Sequence, residues 1–137
     1  MYLSYLLPYG NNFLCLIGNC DSHGKNFSFI YREQKTPILS LFYDLVSTVI
    51  YPGLSTKMAM DIGGQYKFNQ ILKDHIINQA HLLGLSPKLV QHKIKEFSER
   101  YKDAFSLIES LDDLKDYQNT VASIKNVFEE QLNKLLP

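Results

Sequence analysis

Asp21 and Asn26 are the residues of this chain whose types and spacing most clearly suggest chemistry. Phosphoryl-transfer loops of the protein-kinase kind place an aspartate that accepts the substrate's hydroxyl proton five positions before an asparagine that binds magnesium. A second metal-binding aspartate follows later in such chains, and Asp44 stands in that place here, after two strand-like runs. The order of these three residues predicts a phosphoryl-transfer site.

The predicted roles follow from the chemistry of each side chain. Asp21 would orient and deprotonate a serine or threonine hydroxyl, an effect typically worth about 10²–10⁴-fold in rate. Asn26 and Asp44 would offer oxygen ligands to Mg²⁺, which prefers oxygen donors and keeps several waters or phosphate oxygens. Lys25 would meet a phosphate as a point charge. His23 would fix the loop through a hydrogen bond, or stack beneath it.

Each of these residues also has an ordinary structural interpretation. Loops favour aspartate, asparagine and glycine for their turns, Asp44 could simply cap a helix, and His23 and Lys25 could be solvated. Cys15, Cys20 and His23 could imitate a zinc site, but such a site normally needs four ligands and no fourth stands nearby. We therefore expect two reduced thiols. The arrangement of helix, polar loop, hairpin and acidic residue favours the functional interpretation.

Length and composition predict one domain spanning residues 1–137. Hydrophobic residues at 45% and aromatic residues at 12% are ordinary for a packed core. Fourteen basic and fourteen acidic residues cancel, so no charge balance favours nucleic acid or an anionic membrane. Met1–Leu7 and Leu14–Ile17 are apolar but far shorter than the roughly 20 residues of a spanning helix. The sequence predicts a cytoplasmic protein without a membrane span or direct nucleic-acid binding.

The first part of the chain predicts a helix followed by a hairpin. Phe13–Ile17 forms a short apolar run that Asn11 or Asn12 could cap. Phe27–Tyr31 and Ile38–Phe42 are rich in aromatic and branched residues, as strands are, and a polar turn separates them. Two strands alone are marginally stable, so this hairpin must pack on helices.

The remainder predicts an irregular segment and three helices. Tyr43–Met60 is weakly periodic, and either a substrate-facing loop or a structural connection would suit it. Helices are expected from Asn69 to a stop at Gly84, from Ser86-Pro87 onward, and after a cap at Asp112 or Asp113. Their predicted apolar faces are Ile71, Leu72, Ile76, Ala80 and Leu83; Val90, Ile94, Phe97, Tyr101, Ala104 or Phe105, Ile108 and Leu111; and Val121, Ile124, Val127 or Phe128, Leu132 and Leu135. The predicted fold class is mostly α with one small β-hairpin, an α+β domain.

Three segments together resemble the C-terminal lobe of the HipA-type toxin kinases. They are Leu16–Phe29, with the sequence LIGNCDSHGKNFSF; Leu41–Thr48, with LFYDLVST; and Lys57–Met60, with KMAM. The family pattern is approximately L-I-G-N-x-D-x-H-x-K-N-F-S, then P-x-Y-D-x-x-S-T, then K-M-A with a Gly-Gly beyond it. The resemblance covers roughly residues 13–111. Phe42 departs mildly from the residue usual before Tyr-Asp.

The resemblance implies a protein-kinase-like fold and specific roles. It implies that Asp21 is the catalytic base and that Asn26 and Asp44 bind Mg²⁺, with ATP as the phosphate donor. The family comprises serine/threonine kinases of bacterial toxin–antitoxin systems. They phosphorylate aminoacyl-tRNA synthetases, and a DNA-binding antitoxin restrains them. The candidate site residues are Asp21, His23 and Lys25 for catalysis, and Asn26 and Asp44 for the metal and nucleotide.

A kinase also needs a nucleotide lobe with a phosphate-covering loop and a strand lysine. Only twenty residues precede Asp21, and no G-x-G-x-x-G or Walker pattern occurs in the sequence. Two hypotheses follow. The chain is a catalytic lobe that becomes competent with a separate N-terminal lobe or partner chain, or it is an inactive pseudokinase-like module that binds an antitoxin or a kinase. An exposed apolar interlobe face is expected around Met1–Leu7 and Leu14–Ile17.

Overall fold

The computed structural model describes residue 10, residues 12–32 and residues 36–136 of the chain. Four α-helices lie within them: residues 12–16 (α1), Lys73–Leu82 (α2), Pro87–Glu109 (α3) and Gln118–Leu135 (α4). Four strands form two antiparallel pairs: Phe29–Ile30 (β1) with Ile38–Leu39 (β2), and Lys57–Ile62 (β3) with Gln65–Lys67 (β4). Short 3-10 turns cover Gly24–Asn26, Thr48–Ile50, Phe68–Gln70 and Asp112–Tyr117. The predicted α+β class, mostly helical, is confirmed.

The hairpin count differs from the prediction. The expected hairpin forms, with Phe29 opposite Leu39, but each strand has only two residues. A second hairpin lies where the sequence suggested an irregular segment, and β3 takes up the end of that segment. It forms because Gly63 and Gly64 supply the two positive φ angles, 58° and 93°, that a tight two-residue hairpin turn requires. The prediction of a single hairpin is therefore wrong.

The starts of two helices also differ from the prediction. Helix α2 begins at Lys73 and not at Asn69, because residues Phe68–Gln70 tighten into a 3-10 turn first. Helix α4 begins at Gln118, after the 3-10 segment that contains Asp112 and Asp113. The predicted aspartate cap is wrong, because these carboxylates lie a full segment before the helix.

Two other predicted helix boundaries are confirmed. Gly84 follows α2 with φ 67°, and its N–H donates to the carbonyl of His81 while Leu85 donates to that of Ala80. This pair of bonds is the Schellman arrangement that terminates helices at glycine. Helix α3 begins at Pro87, directly after Ser86, as the Ser-Pro pair indicated.

One apolar core joins all four helices and the second hairpin. Its most enclosed side chains are Cys15, Leu16, Ile62, Ile71, Ile76, Ala80, Val90, Ile94, Leu132 and Leu135. An aromatic cluster joins α3 to α4, with the rings of Tyr101 and Phe128 stacked at 5.4 Å. Among the predicted faces, Leu72 and Leu111 are exposed large side chains: Leu72 precedes α2 and is 50% exposed, and Leu111 follows α3 and is 46% exposed.

Gln131 is a polar side chain in the middle of this core. It is fully buried, and its Nε2 donates to the carbonyl of Ile71 at 3.2 Å and contacts Sγ of Cys15 at 3.7 Å. Its Oε1 has no hydrogen-bond partner in the described part of the chain. Gln131 therefore ties α4 to α1 and to the entry of α2, at the expense of one unsatisfied oxygen.

Among the described residues, no helix combines the length and the apolar character that crossing a membrane would require.

Candidate active site

The candidate site begins where α1 ends. Gly18 adopts φ 69°, and the N–H of Asn19 turns back to the carbonyl of Leu14 at 2.9 Å. The next residue, Cys20, donates its N–H to Oγ1 of Thr48 at 2.8 Å and accepts from Ala59 N at 2.8 Å. The start of the polar loop is thus fixed between the segment around residue 48 and strand β3. Anchoring the start of the loop in this way limits the movement of the residues that follow.

Asn26 and Asp44 meet in the folded chain. Nδ2 of Asn26 donates to Oδ2 of Asp44 at 2.6 Å, across 18 residues of sequence. Asn26 is buried at the end of the 3-10 turn Gly24–Asn26, and its Oδ1 accepts the backbone N–H of His23 at 2.9 Å. The structure therefore brings together the two residues that the sequence pairs as magnesium ligands.

Asp44 has an unusual backbone. It is the one non-glycine residue of the described chain with a positive φ, 58°. Left-handed backbone is uncommon for residues with a Cβ, and such strain concentrates at functional sites. The carbonyl of Asp44 accepts a 2.9 Å hydrogen bond from Nδ2 of Asn19, while its carboxylate accepts from Asn26. Both ends of this strained residue are therefore held by buried amides.

Tyr43 joins the two halves of the site from the solvent side. Its hydroxyl donates to the carbonyl of Lys25 at 2.8 Å and lies 2.7 Å from Oγ of Ser28. Together with Thr48, which donates to the carbonyl of Gly18 at 3.2 Å, it fastens the segment of residues 43–49 along the loop. Asn19, Tyr43 and Thr48 stand in the motifs that carry the family resemblance, but the sequence alone gave them no role.

The three candidate catalytic residues lie in the same loop but outside this hydrogen-bonded pair. Asp21 and Lys25 are exposed, and within the described residues neither side chain makes a hydrogen bond or ion pair. Their charged groups are free to meet a substrate. His23 is half-buried; its backbone binds Asn26, and its Nδ1 is buried without a partner in the described chain. The predicted hydrogen bond that fixes the loop comes from the backbone of His23 and not from its ring.

The donor set suits a hard cation better than a soft one. Oδ1 of Asn26 has a second lone pair beside the one used by His23, and the exposed carboxylate of Asp44 keeps a second oxygen. No cluster of three or more histidine, cysteine, aspartate or glutamate side chains is placed for a metal within the described residues. Mg²⁺ commonly binds through one or two protein oxygens, with water and phosphate completing its shell. Asn26 and Asp44 fit that pattern.

The cysteines do not resemble metal ligands. Burial raises the pKa of Cys15 to about 12, and burial also raises the pKa of Cys20. A metal needs the thiolate, whereas this environment favours the neutral thiol. Cys15 contacts Gln131 in the core, and Cys20 faces Thr48 through its backbone.

A large apolar groove lies behind the segment that carries Asp44. Its volume is about 740 Å³, and Leu45 and Ser47 line it together with aromatic side chains of α1, α3 and α4: Phe13, Phe97, Tyr101, Phe105 and Phe128. The apolar face expected around Leu14–Ile17 is not exposed, because all four side chains are buried, although Ile17 also lines the groove. Met1–Leu7 lies outside the described residues. The open apolar surface is formed mainly by α3 and α4, together with Phe13 and Ile17.

Comparison with known proteins shows which family this chain belongs to. A protein-family model described as the HipA-like C-terminal domain matches residues 11–129. The "Putative kinase Y4mE" of Sinorhizobium fredii is 38% identical over 103 residues, which is 74% of this chain and 24% of that protein. The "Serine/threonine-protein kinase toxin HipA" of Shewanella oneidensis is 31% identical over 97 residues, which is 69% of this chain and 22% of that protein.

A solved structure of a HipA protein is also similar to this chain. It is the complex of HipA, HipB and operator DNA from the Shewanella oneidensis toxin–antitoxin system, and it matches 93% of this chain with a TM-score of 0.80 and 26% identity. The match covers 30% of that chain. This chain thus spans less than a third of each of the three proteins named here.

Proposed function

Because the chain belongs to the HipA-like C-terminal domain family, we propose that it is the catalytic lobe of a toxin-type serine/threonine protein kinase. The observation that carries this proposal is the 2.6 Å contact between Asn26 and Asp44, formed across 18 residues of sequence. An inactive structural remnant has no need of a strained aspartate held beside a buried asparagine. The exposed carboxylate of Asp21, at the other end of the same loop, is the third of the side chains that this chemistry requires.

The proposed reaction transfers the γ-phosphoryl group of ATP to a protein hydroxyl. The hydroxyl oxygen bonds to the γ-phosphorus, the bond to the bridging oxygen breaks, and ADP leaves with that oxygen. Asp21 orients the hydroxyl and accepts its proton, and Lys25 faces phosphate charge at the exposed side of the loop. Asn26 and Asp44 would hold Mg²⁺, which supplies charge neutralisation on the phosphates when it is bound.

The nucleotide-covering half of the site is proposed to come from outside residues 1–137, in the same polypeptide or in a separate one. No glycine-rich phosphate loop occurs in these residues, and the relatives are about three to four times longer than the matched part. In this proposal, residues 1–137 form one C-terminal-lobe domain. The apolar groove of α3 and α4 is the surface on which the remaining part of a HipA-type kinase packs.

The partners proposed for the complete kinase follow from its relatives. The solved relative is described with HipB and operator DNA, so we propose an antitoxin protein as a partner of this chain. An aminoacyl-tRNA synthetase is the proposed target, and the cytoplasm the proposed compartment. Direct contact with nucleic acid is not part of the proposal, because the formal net charge of the chain is zero.

Phosphate transfer from labelled ATP tests the proposal. The chain is mixed with the complementary lobe, Mg²⁺ and a protein substrate, and Asp21→Asn is compared with the native sequence. We expect the substitution to lower the rate about 10²–10⁴-fold, the typical contribution of a general base. Asp113→Asn, at an exposed aspartate in the segment before α4, is the matched control and should leave the rate unchanged. Equal rates for all three proteins would refute the proposed role of Asp21.

A non-catalytic binding module is the second candidate, and the groove is the observation that favours it. Ala104 lines the groove from α3 and is exposed, whereas Ser106 is exposed on α3 and does not line it. Ala104→Glu should therefore weaken binding of the complementary lobe in sedimentation experiments, and Ser106→Glu should not. Tight binding by the native chain without any phosphate transfer would favour the module over the kinase.

A further inference from the structure

Asn19 connects the core to the strained residue of the candidate site. Its side chain is buried, and its Nδ2 donates to the carbonyl oxygen of Asp44 at 2.9 Å. Its own backbone N–H is fixed by the carbonyl of Leu14 in α1. A rigid helix end therefore presents a single amide donor to the residue whose φ is 58°.

We propose that Asn19 is a positioning residue that holds Asp44 in its left-handed conformation and thereby directs the Asp44 carboxylate at Asn26. The function of this contact rests on the proposed kinase activity, but the contact itself does not. The bond restrains the orientation of the Asp44 carbonyl and therefore the backbone torsions on which the direction of its Cβ depends. Without the Asn19 amide, Asp44 is expected to relax toward the ordinary α or β regions, because a left-handed residue persists only where its surroundings impose it.

The geometry separates this role from simple packing. Asp44 is exposed and lies outside the apolar core, so its backbone is not fixed by buried side chains of its own. It is held by two amides, Asn19 at the carbonyl and Asn26 at Oδ2. Removing the Asn19 amide should disturb the hydrogen bond between Asn26 and Asp44, although Asn19 and Asn26 do not bond to each other. A residue that only fills space would not produce that effect.

Asn12 provides a matched control. Like Asn19, Asn12 is 3% exposed, and it lies in α1, a few residues before Asn19. Its Nδ2, however, has no hydrogen-bond partner among the described residues. Asn12→Ala therefore removes a buried asparagine of the same helix–loop region without removing a bond to Asp44. Asn19→Leu is a second variant, which keeps the branching of Asn19 at Cγ, is somewhat larger and lacks its donor.

The primary experiment measures the side-chain amide of Asn26 by ¹H–¹⁵N NMR in the full chain, without nucleotide or metal. Asn26→Ala identifies that signal by its disappearance. In the native chain we expect one proton of this amide to be shifted downfield and protected from exchange by its bond to Asp44. In Asn19→Ala or Asn19→Leu the signal should move toward that of a solvent-exposed asparagine, while the backbone signals of α3 and α4 stay in place. In Asn12→Ala it should not move.

An unchanged Asn26 signal in a folded Asn19 variant overturns the inference, whatever the enzyme assay gives. If both Asn19 variants unfold while Asn12→Ala folds, Asn19 is a stability residue and the inference also fails. In the phosphate-transfer assay, the rate of a folded Asn19 variant should fall about 3- to 10-fold, the factor that one ordinary hydrogen bond supplies. A shifted signal together with an inactive native chain would refute the proposed kinase function and leave the positioning role intact.

Discussion

The Gly63-Gly64 turn offers a matched pair of substitutions that tests how the second hairpin meets α2. Both residues have positive φ, 58° and 93°, so alanine is strained at either position. A Cβ at Gly63 would overlap the carbonyl oxygen of His75 and lie 2.7 Å from its carbonyl carbon. A Cβ at Gly64 would meet no atom within 4 Å. The two positions therefore share the backbone strain and differ in the collision with helix α2.

The expected magnitudes follow from these contacts. Left-handed backbone costs an L-residue about 1–2 kcal/mol, which is the whole effect expected for Gly64→Ala. Gly63→Ala must also displace the first turn of α2, since backbone atoms at His75 cannot rotate away. That movement threatens two hydrogen bonds, from Gly63 N to Gln79 Oε1 at 2.7 Å and from Asn78 Nδ2 to Gly63 O at 3.0 Å. Each bond is worth about 0.5–1.5 kcal/mol, so we expect Gly63→Ala to cost about 2–5 kcal/mol.

Urea and thermal unfolding followed by circular dichroism measure the difference. For a chain of this size, about 1 kcal/mol corresponds to roughly 3–5 °C in Tm. Gly63→Ala should therefore melt well below Gly64→Ala, and the m-value in urea should be unchanged for both. Equal destabilisation by the two substitutions would show that the turn does not press against His75. Such a result would refute close packing of the second hairpin against α2.

Three further predictions concern the core and the loop. The thiols of Cys15 and Cys20 should react with Ellman's reagent at pH 8 only after unfolding in guanidinium, because burial raises the pKa of both; rapid reaction of the folded chain would contradict their burial. Gln131→Glu should cost about 3–5 kcal/mol at pH 7, because it leaves an unpaired charge in the core. The folded-state pKa of the new carboxyl would be raised above the unfolded value of about 4.3, so the lost stability should return below about pH 4. Urea titrations of Gln131→Glu and Gln131→Met at pH 4 and pH 7 check this, and a pH-independent loss would refute it. Tyr43→Phe should cost about 1 kcal/mol and speed amide exchange in the loop, because it removes the two hydrogen bonds of the hydroxyl; exchange at the native rate would show that Tyr43 does not hold the loop.

Local sequence signals predicted much of the architecture. The helix stop at Gly84 and the helix start at Pro87 depend on backbone preferences of single residues, and both are confirmed. The hairpin of Phe29–Ile30 with Ile38–Leu39 likewise follows from strand-forming residues on either side of a polar turn. The sequence does not predict the second hairpin, although Gly63-Gly64 marks its turn, because the alternation in Lys57–Ile62 is too short to distinguish a strand from an irregular segment.

Gln131 shows a limit of inferring burial from residue type. Position 131 lies three residues after Phe128 and four before Leu135, so helix periodicity assigns it to the buried face, whereas glutamine is a residue type that is mostly exposed. The structure buries it completely, because the carbonyl of Ile71 faces the core without a helical partner and needs a donor. Nothing near position 131 in the sequence indicates that need.

The residues that could carry the chemistry can be identified without the fold, because Asp21 and Asn26 have a characteristic spacing and Asp44 follows them in the expected order. The contact of Asn26 with Asp44, the left-handed backbone of Asp44 and the hydrogen bond from Asn19 to its carbonyl become visible only in the folded chain. The physical reason is that spacing governs contacts within one loop or helix turn. A contact across 18 residues depends on where the core places the end of α1 and the segment after the first hairpin.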